Sequence, residues 1–231
     1  TAVAAQWLTT AFMLTMAVVI PTTGFLLRRF TTRAMFATAM GLFSAGTLIA
    51  LIAPGFEVLV AARVVQASGT AIMMPLLMTT LMTVVPPHLR GRMMGRVSVV
   101  ISLAPAIGPT MAGIVLDNLT WRWIFAIVLP IALVALVVGV RWIHNLGEST
   151  HTPIDILSVA LSAVGFGGVV FGLSQIGGHG SDLAAAETAT TTLVIALGVG
   201  LVALGLFAWR QLILQKRDEA LLDLRIFRSG N

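Results

Sequence analysis

Residues 34–56, AMFATAMGLFSAGTLIALIAPGF, form a stretch of 23 residues without a charged side chain. An α-helix needs about 20 apolar residues to cross a hydrocarbon core about 30 Å thick. A barrel strand would need only about 10, alternating apolar and polar, whereas this stretch is apolar on all sides. Because lipid offers the backbone no hydrogen-bond partner, the segment is expected to cross a membrane as a helix.

Six other stretches have the same character. Each holds 18 to 27 residues without Asp, Glu, Lys or Arg, and they are 1–27, 64–89, 97–116, 123–140, 156–181 and 188–209. The chain is therefore predicted to be an all-α polytopic membrane protein with seven transmembrane helices. The predicted spans are residues 6–27, 34–53, 58–85, 97–116, 122–142, 156–176 and 189–209.

The composition agrees with this fold class. Of 231 residues, 58% are hydrophobic and 10% are charged, and the mean hydropathy is +0.99. A soluble domain usually carries about 25% charged residues, so a soluble enzyme and a disordered tail are excluded. The net charge of +5 is dispersed instead of forming one basic face, which excludes a nucleic-acid partner. The lipid bilayer is the predicted surrounding.

The basic residues predict how the spans are oriented, because cytoplasmic loops carry an excess of Lys and Arg. Counting alternate connections places twelve basic residues on one side and only Arg122 on the other. The beginning of the chain is therefore predicted to lie outside, and its final segment in the cytoplasm. All five tryptophans lie near span ends, where an amphipathic indole is stable.

Arg63 is the one charged residue well inside an apolar stretch. Arg63, Gln66, Thr70 and Met74 are spaced i, i+3, i+7 and i+11, so they share one helical face. A mid-membrane Arg costs about 3 kcal/mol on insertion scales and normally faces a partner or a wet cavity. This face is predicted to line a polar translocation cavity. The alternative is that Arg63 snorkels from the outer end of its helix to the headgroups.

Helix-breaking residues cluster in the fourth predicted span. They are Pro105, Gly108, Pro109 and Gly113. Proline inside a helix removes a backbone hydrogen bond and bends the helix. The cluster is predicted to be a hinge or seal in a moving helix, and the alternative is close helix packing through small residues.

Two connections between spans carry clustered arginines: Arg28, Arg29 and Arg33 in one, and Arg90 and Arg92 in the other. Both are predicted to be short cytoplasmic turns whose charge sets the topology.

Signals of catalysis are missing from the sequence. The four histidines lie near predicted loops without a second metal ligand at a suitable spacing. A nucleophile elbow, a P-loop and an intramembrane carboxylate pair are likewise absent. We therefore predict neither an enzyme nor a metal site or organic cofactor.

Several motifs, in their order along the chain, resemble those of the major facilitator superfamily, and more narrowly its fourteen-helix drug:proton antiporter branch. Residues 63–69, RVVQASG, resemble the fourth-helix motif R-x-x-Q-G-x-G, with Ala67 at the first glycine. Residues 108–113, GPTMAG, resemble the fifth-helix antiporter motif G-P-x-x-G-G, with Ala112 at the penultimate glycine.

Two further segments extend this resemblance along the chain. Residues 121–125, WRWIF, resemble the entry to helix six in this branch. Residues 222–228, LDLRIFR, resemble the stretch that precedes its second bundle.

The loop between helices two and three of the family usually reads G-x-L-x-D-R-x-G-R-R/K and belongs to a cytoplasmic gate. Gly24, Arg29 and Arg33 fit that pattern, whereas Arg28 occupies the acidic position. The resemblance thus implies a cytoplasmic gate loop containing these four residues. Because Arg28 cannot replace a carboxylate, either the residue that pairs across the gate or the conformation that the gate favours must differ from the family's.

The resemblance also implies a division of the chain. Residues 1–143 would be helices two to six of the first bundle, and residues 144–215 would hold the extra central helix pair. Residues 216–231 would be a cytoplasmic segment leading to a second bundle. Helix one and the second bundle are then expected partners that lie outside this sequence.

The activity implied by the resemblance is proton-coupled efflux of amphiphilic or cationic drugs by alternating access, in a bacterial cytoplasmic membrane. An exporter of an endogenous lipid, peptide or siderophore, or a non-transporting scaffold, is the alternative. A coupling proton needs an intramembrane carboxylate or histidine. All nine acidic residues lie at loops or span ends, so that carboxylate is expected outside this sequence, with Asp155 its one rival here. The resemblance implies that it is an Asp on the first helix.

Overall fold

The computed structural model describes residues 2–145, 155–175 and 183–215. Within these ranges the chain forms seven α-helices. They are α1 (Ala2–Arg29), α2 (Thr32–Ile52), α3 (Phe56–Val84), α4 (Pro87–Asn118), α5 (Arg122–Trp142), α6 (Ile156–Ser174) and α7 (Leu183–Leu214). The motif at residues 222–228 lies outside the described residues.

Each of these seven helices contains a segment long and apolar enough to cross a membrane. The segments are Gln6–Arg29, Thr32–Ile52, Phe56–Val84, Pro87–Asn118, Arg122–Trp142, Ile156–Ser174 and Thr190–Leu214. The predicted fold class, an all-α polytopic membrane protein, is confirmed.

The prediction that the two basic segments are short turns is wrong, because the helices extend into both of them. Arg90 and Arg92 lie in the first turns of α4, which begins at Pro87 instead of residue 97. Proline is favoured in the first turn of a helix, where its missing N–H costs no hydrogen bond. Arg90 also reaches back to the end of α3, where its Nη2 and Nε donate to the carbonyl oxygens of Met82 (2.7 Å) and Val85 (3.0 Å). A cation at a helix C-terminus is stabilised by these carbonyls.

The first basic segment is also mostly helical. Arg28 and Arg29 end α1, and Arg33 lies in the first turn of α2. The side chain of Thr31, the N-cap of α2, accepts a hydrogen bond from the backbone nitrogen of Ala34 at 3.3 Å. Such a cap satisfies a helix N–H that would otherwise lack a partner.

The contacts divide the chain into two compact units. One comprises Thr1–Phe30 and Ser149–Asn231, and so contains α1, α6 and α7. The other comprises Thr31–Glu148 and contains α2 to α5. The predicted division at residue 143, which groups α1 with α2 to α5, stays a prediction.

Two glycines bring the backbones of α2 and α3 into close contact. A Cβ atom added at Gly46 would lie 2.5 Å from the backbone nitrogen of Gln66 and 2.8 Å from the carbonyl oxygen of Ala62. One added at Gly69 would overlap the carbonyl oxygen of Ala39. Small residues allow such packing in membranes, where apolar helices gain little by leaving equally apolar lipid.

In the first unit, α6 and α7 approach one another in the same way. A Cβ atom at Gly168 would lie 3.0 Å from the Cα atom of Gly200, and one at Gly200 would lie 2.7 Å from the backbone nitrogen of Val169. The pair is therefore also in backbone contact.

We predict that Gly46→Ala and Gly69→Ala each destabilise the protein by about 1–3 kcal/mol, because the added methyl group forces α2 and α3 apart. Thermal unfolding of the purified protein in detergent measures the effect. Gly41→Ala is the matched control, since a Cβ atom on this glycine of α2 would meet nothing within 4 Å. Equal melting temperatures for all three variants would contradict the packing described here.

Candidate functional site

Arg63 lies seven residues inside α3, about 10 Å from the helix start. Its Nη1 donates a hydrogen bond to Oε1 of Gln66 at 2.9 Å. Gln66 is one turn further into the helix, so the guanidinium has a hydrogen-bond partner within α3. That Arg63 snorkels to the headgroups stays the alternative prediction.

Gln66 carries the contact onward to α2. Its side chain is buried, and its Nε2 donates to Oγ1 of Thr47 at 2.9 Å. The Thr47 hydroxyl, which is 0% exposed, donates in turn to the carbonyl oxygen of Phe43 at 2.7 Å. A chain of hydrogen bonds therefore runs from Arg63 to the backbone of α2. Sequence analysis did not identify Thr47, because a single threonine in an apolar helix gives no signal of its partner.

The other two residues predicted on this face behave differently. Thr70 donates its hydroxyl hydrogen bond to the backbone oxygen of Gln66, at 3.0 Å within its own helix. Met74 is exposed. The structure thus joins Arg63 to Gln66 but brings neither Thr70 nor Met74 into their side-chain network. That all four line a translocation cavity stays a prediction.

An aromatic cluster from the start of α5 lies against Arg63. The guanidinium carbon of Arg63 is 5.2 Å from the ring centroid of Phe125. The Phe125 ring is buried and meets Trp121 edge-on, at 6.0 Å between centroids and an interplanar angle of 86°. Edge-to-face contacts of this kind are favourable because the ring edge is positive and its face negative.

Arg122 holds the end of this cluster at which Trp121 lies. Its guanidinium carbon lies 4.5 Å from the ring centroid of Trp121, and its Nη2 donates to the carbonyl oxygen of Ala53 at 2.8 Å. Ala53 is the C-cap of α2. The sequence resemblance singled out residues 121–125 as a motif but assigned them no contact with Arg63.

The cluster of helix-breaking residues lies on the least packed helix of its unit. The helix α4, all of which the structure describes, continues through Pro105 and Pro109 and has Val115 as its one buried residue. A Cβ atom at Gly108 or Gly113 would meet nothing within 4 Å. These glycines therefore make no close helix contact within the described part of the chain. Their role as a hinge or seal stays a prediction.

The predicted cytoplasmic gate residues lie at helix ends. Gly24, Arg28 and Arg29 are in the last turns of α1. The backbone nitrogen of Arg33, at the start of α2, donates to Oδ1 of Asn145, which follows α5, at 3.3 Å. The start of α2 and the end of α5 thus lie at the same end of this helix pair, which agrees with the alternation of sides assumed in the charge count. The gate function itself stays a prediction.

Asp155, the rival for proton binding, forms an ion pair at the start of α6. The guanidinium of Arg210 in α7 donates twice to its carboxylate, from Nε to Oδ2 at 2.8 Å and from Nη2 to Oδ1 at 2.9 Å. Ser158 also donates to Oδ2, and Gln211 donates to the Ser158 hydroxyl at 2.9 Å. This network joins the beginning of α6 to the end of α7.

The network changes the acidity of Asp155. Chiefly through the hydrogen bonds from Arg210, and further through Ser158, the pKa of Asp155 is lowered from 3.8 to about 2. Partial burial acts in the opposite direction but is outweighed. Asp155 is therefore a carboxylate at neutral pH.

Together, the seven apolar helices of the described residues, the half-buried arginine with its buried glutamine, and the close helix contacts define a polytopic membrane protein. The chain belongs to the Major Facilitator Superfamily, whose family model matches residues 1–217.

Several curated members of this family are similar to the chain along nearly all of its length. An uncharacterized MFS-type transporter of Bacillus subtilis (strain 168), YcnB, is 46% identical over 98% of this chain and 46% of its own length. The lincomycin resistance proteins LmrB of Listeria innocua and Bacillus subtilis are 45% and 44% identical, over 96% and 99% of this chain and 45% and 46% of their own lengths. The chain thus spans about half the length of these relatives.

We predict that Asp155→Asn lowers the thermal stability of the protein at pH 7 but not at low pH. Asp155 has a lowered pKa in the folded state, so its ion pair stabilises the fold above about pH 4. That stability is lost as the pH falls through the folded-state pKa of about 2. Because the ion pair is partly solvated, we expect a loss of at most about 1 kcal/mol at pH 7.

Melting temperatures of the wild type and the variant, measured from pH 7 down to pH 2, test this expectation. Asp117→Asn, at an exposed carboxylate near the end of α4, is the matched control. A difference between Asp155→Asn and wild type that stays constant across the whole range would refute the assignment of the ion pair.

Proposed function

We propose that the full-length protein is a proton-coupled exporter of amphiphilic or cationic drugs that works by alternating access. In this proposal the chain supplies helices two to six of the first bundle and the extra central pair of a fourteen-helix transporter. Helix one and the second bundle are its structural partners. The similarity to two lincomycin resistance proteins, of which the chain spans about half the length, supports the activity.

The observation that carries the proposal is the network that joins the half-buried Arg63 to the buried side chains of Gln66 and Thr47. A guanidinium two turns inside an apolar helix costs free energy on insertion, about 3 kcal/mol at mid-membrane. The protein holds this charge in place with a glutamine that is itself hydrogen-bonded to the neighbouring helix. A non-transporting scaffold has no need of such a group, whereas a transporter can use it to hold a carboxylate or a substrate.

The proposed coupling site follows from the same charge. A proton-binding carboxylate must change its protonation state near neutral pH, which usually requires burial. Asp155 does not meet this condition, because its ion pair lowers its pKa to about 2. We therefore place the coupling carboxylate outside this sequence, next to Arg63, which would stabilise its ionised form until a proton arrives.

We propose an orientation with the beginning of the chain outside and its final segment in the cytoplasm. This orientation assumes that successive connections between helices lie on alternate sides of the membrane, and three contacts support that assumption. Arg33 meets Asn145 at one end of α2 and α5, Arg122 meets Ala53 at their other end, and Asp155 meets Arg210 where α6 begins and α7 ends.

The experiment that tests the function is efflux from cells that express the full-length protein. We expect energised cells to exclude ethidium and lincomycin and to lose this ability when a protonophore collapses the proton gradient. Efflux that survives the protonophore, or is absent in spite of normal expression, would contradict the proposal.

In the same assay, Arg63→Ala is expected to abolish efflux while the protein is still inserted in the membrane. Arg63→Lys should restore only part of the activity, because an ammonium lacks the planar set of donors of a guanidinium. The matched control is Arg141→Ala, which removes an exposed arginine from the last turn of α5. Unchanged drug resistance in Arg63→Ala would make the arginine dispensable for transport.

Asp155→Asn provides a separate test of the coupling site. Since its carboxylate stays ionised at neutral pH, we expect this variant to keep efflux that depends on the proton gradient. The measurement is the rate of ethidium efflux with and without an imposed pH gradient in proteoliposomes. Loss of that dependence would move the coupling site to Asp155.

A further inference from the structure

Arg63 is held by more than its hydrogen bond to Gln66. Its guanidinium carbon lies 5.2 Å from the ring centroid of Phe125, within the range of a cation–π contact. Such a contact strengthens when both partners are withdrawn from water, and the Phe125 ring is only 7% exposed. The ring therefore supports the cation from α5 while Gln66 binds it from α3.

The position of the Phe125 ring is fixed by its surroundings. It packs in one buried cluster with Ala50 of α2 and Ala62 of α3, both 0% exposed. These small side chains leave room for a ring between the two helices. Trp121, the N-cap residue of α5, contacts the ring edge-on and so limits its rotation.

Trp121 is itself held at the end of the cluster. Arg122 lies over the indole at 4.5 Å and donates to the carbonyl oxygen of Ala53 at 2.8 Å. A backbone carbonyl at the end of α2 is thus connected through two aromatic rings to the guanidinium of Arg63. An arginine therefore lies at each end of this aromatic pair, Arg63 at Phe125 and Arg122 at Trp121.

We propose that Phe125 is the positioning residue for Arg63, and that Arg122, through its hydrogen bond to Ala53 and its contact with Trp121, holds Phe125 in place. The proposal rests on the transport function proposed above. It adds the residues that fix the direction of the Arg63 side chain, and it gives the WRWIF segment a role in transport beyond starting a helix.

The first test compares Phe125→Leu with Phe207→Leu in the full-length protein. Both phenylalanines are 7% exposed, but Phe207 packs against Phe25 in the other unit. We expect Phe125→Leu to lower the rate of ethidium efflux about tenfold and to change its pH profile, and Phe207→Leu to leave the profile unchanged. An unaltered rate and profile in Phe125→Leu would overturn the proposal.

Ring-fluorinated phenylalanines at position 125 separate positioning from packing. Fluorine withdraws electron density from the ring face with little change in shape, so a cation–π contact weakens stepwise while the packing is kept. We expect efflux to fall with each added fluorine. An efflux rate that is independent of fluorination would show that the ring only fills space.

A double-mutant cycle decides the contact without any transport assay. We expect Phe125→Leu to lower the melting temperature of the purified protein more in the wild type than in an Arg63→Met background, since the shared contact is lost only once. Additive effects would overturn the proposal. If the wild type shows no proton-dependent efflux, the proposed function fails, while this cycle still tests whether Phe125 positions Arg63.

Discussion

A polar side chain inside a bilayer can obtain its hydrogen bonds only from the protein, because lipid tails offer none. Between α2 and α3 this constraint is met by the hydrogen bond from Gln66 to Thr47. Between α6 and α7 it is met by the hydrogen bond from Gln211 to Ser158. In both pairs the polar groups are buried and bonded across the helix interface. Each pair is thereby fixed in one register, since a shift along the helix axis would leave these groups without partners.

Close backbone contact makes those bonds possible. A glutamine reaches a threonine on a neighbouring helix only where the helix axes are near one another. Gly46 and Gly69 provide that distance between α2 and α3, and Gly168 and Gly200 do so between α6 and α7. The glycines and the buried polar groups therefore act together, because neither would fix a helix pair in lipid alone.

Two arginines show how the surroundings decide what a charge can do. Arg210 has a carboxylate partner at a helix end, and that pair keeps Asp155 ionised and joins two helices. Arg63 lies deeper, where it contacts an amide and an aromatic ring. An amide oxygen and a ring face carry no net charge, so these two contacts orient the guanidinium of Arg63 without themselves neutralising it.

The sequence alone determined the fold class and the number of spans, because crossing a hydrocarbon core imposes a length and a composition that can be counted. It also identified Arg63 and Gln66, whose cost in an apolar helix makes them conspicuous. It misjudged the basic segments around Arg28 and Arg90, where charge alone does not show whether a helix has ended. Only the tertiary structure decided that Gln66 bonds to Thr47 and that Phe125 lies against Arg63. These partners are 19 and 62 positions apart in the sequence, and helical periodicity describes neighbours within one helix but not the packing between helices.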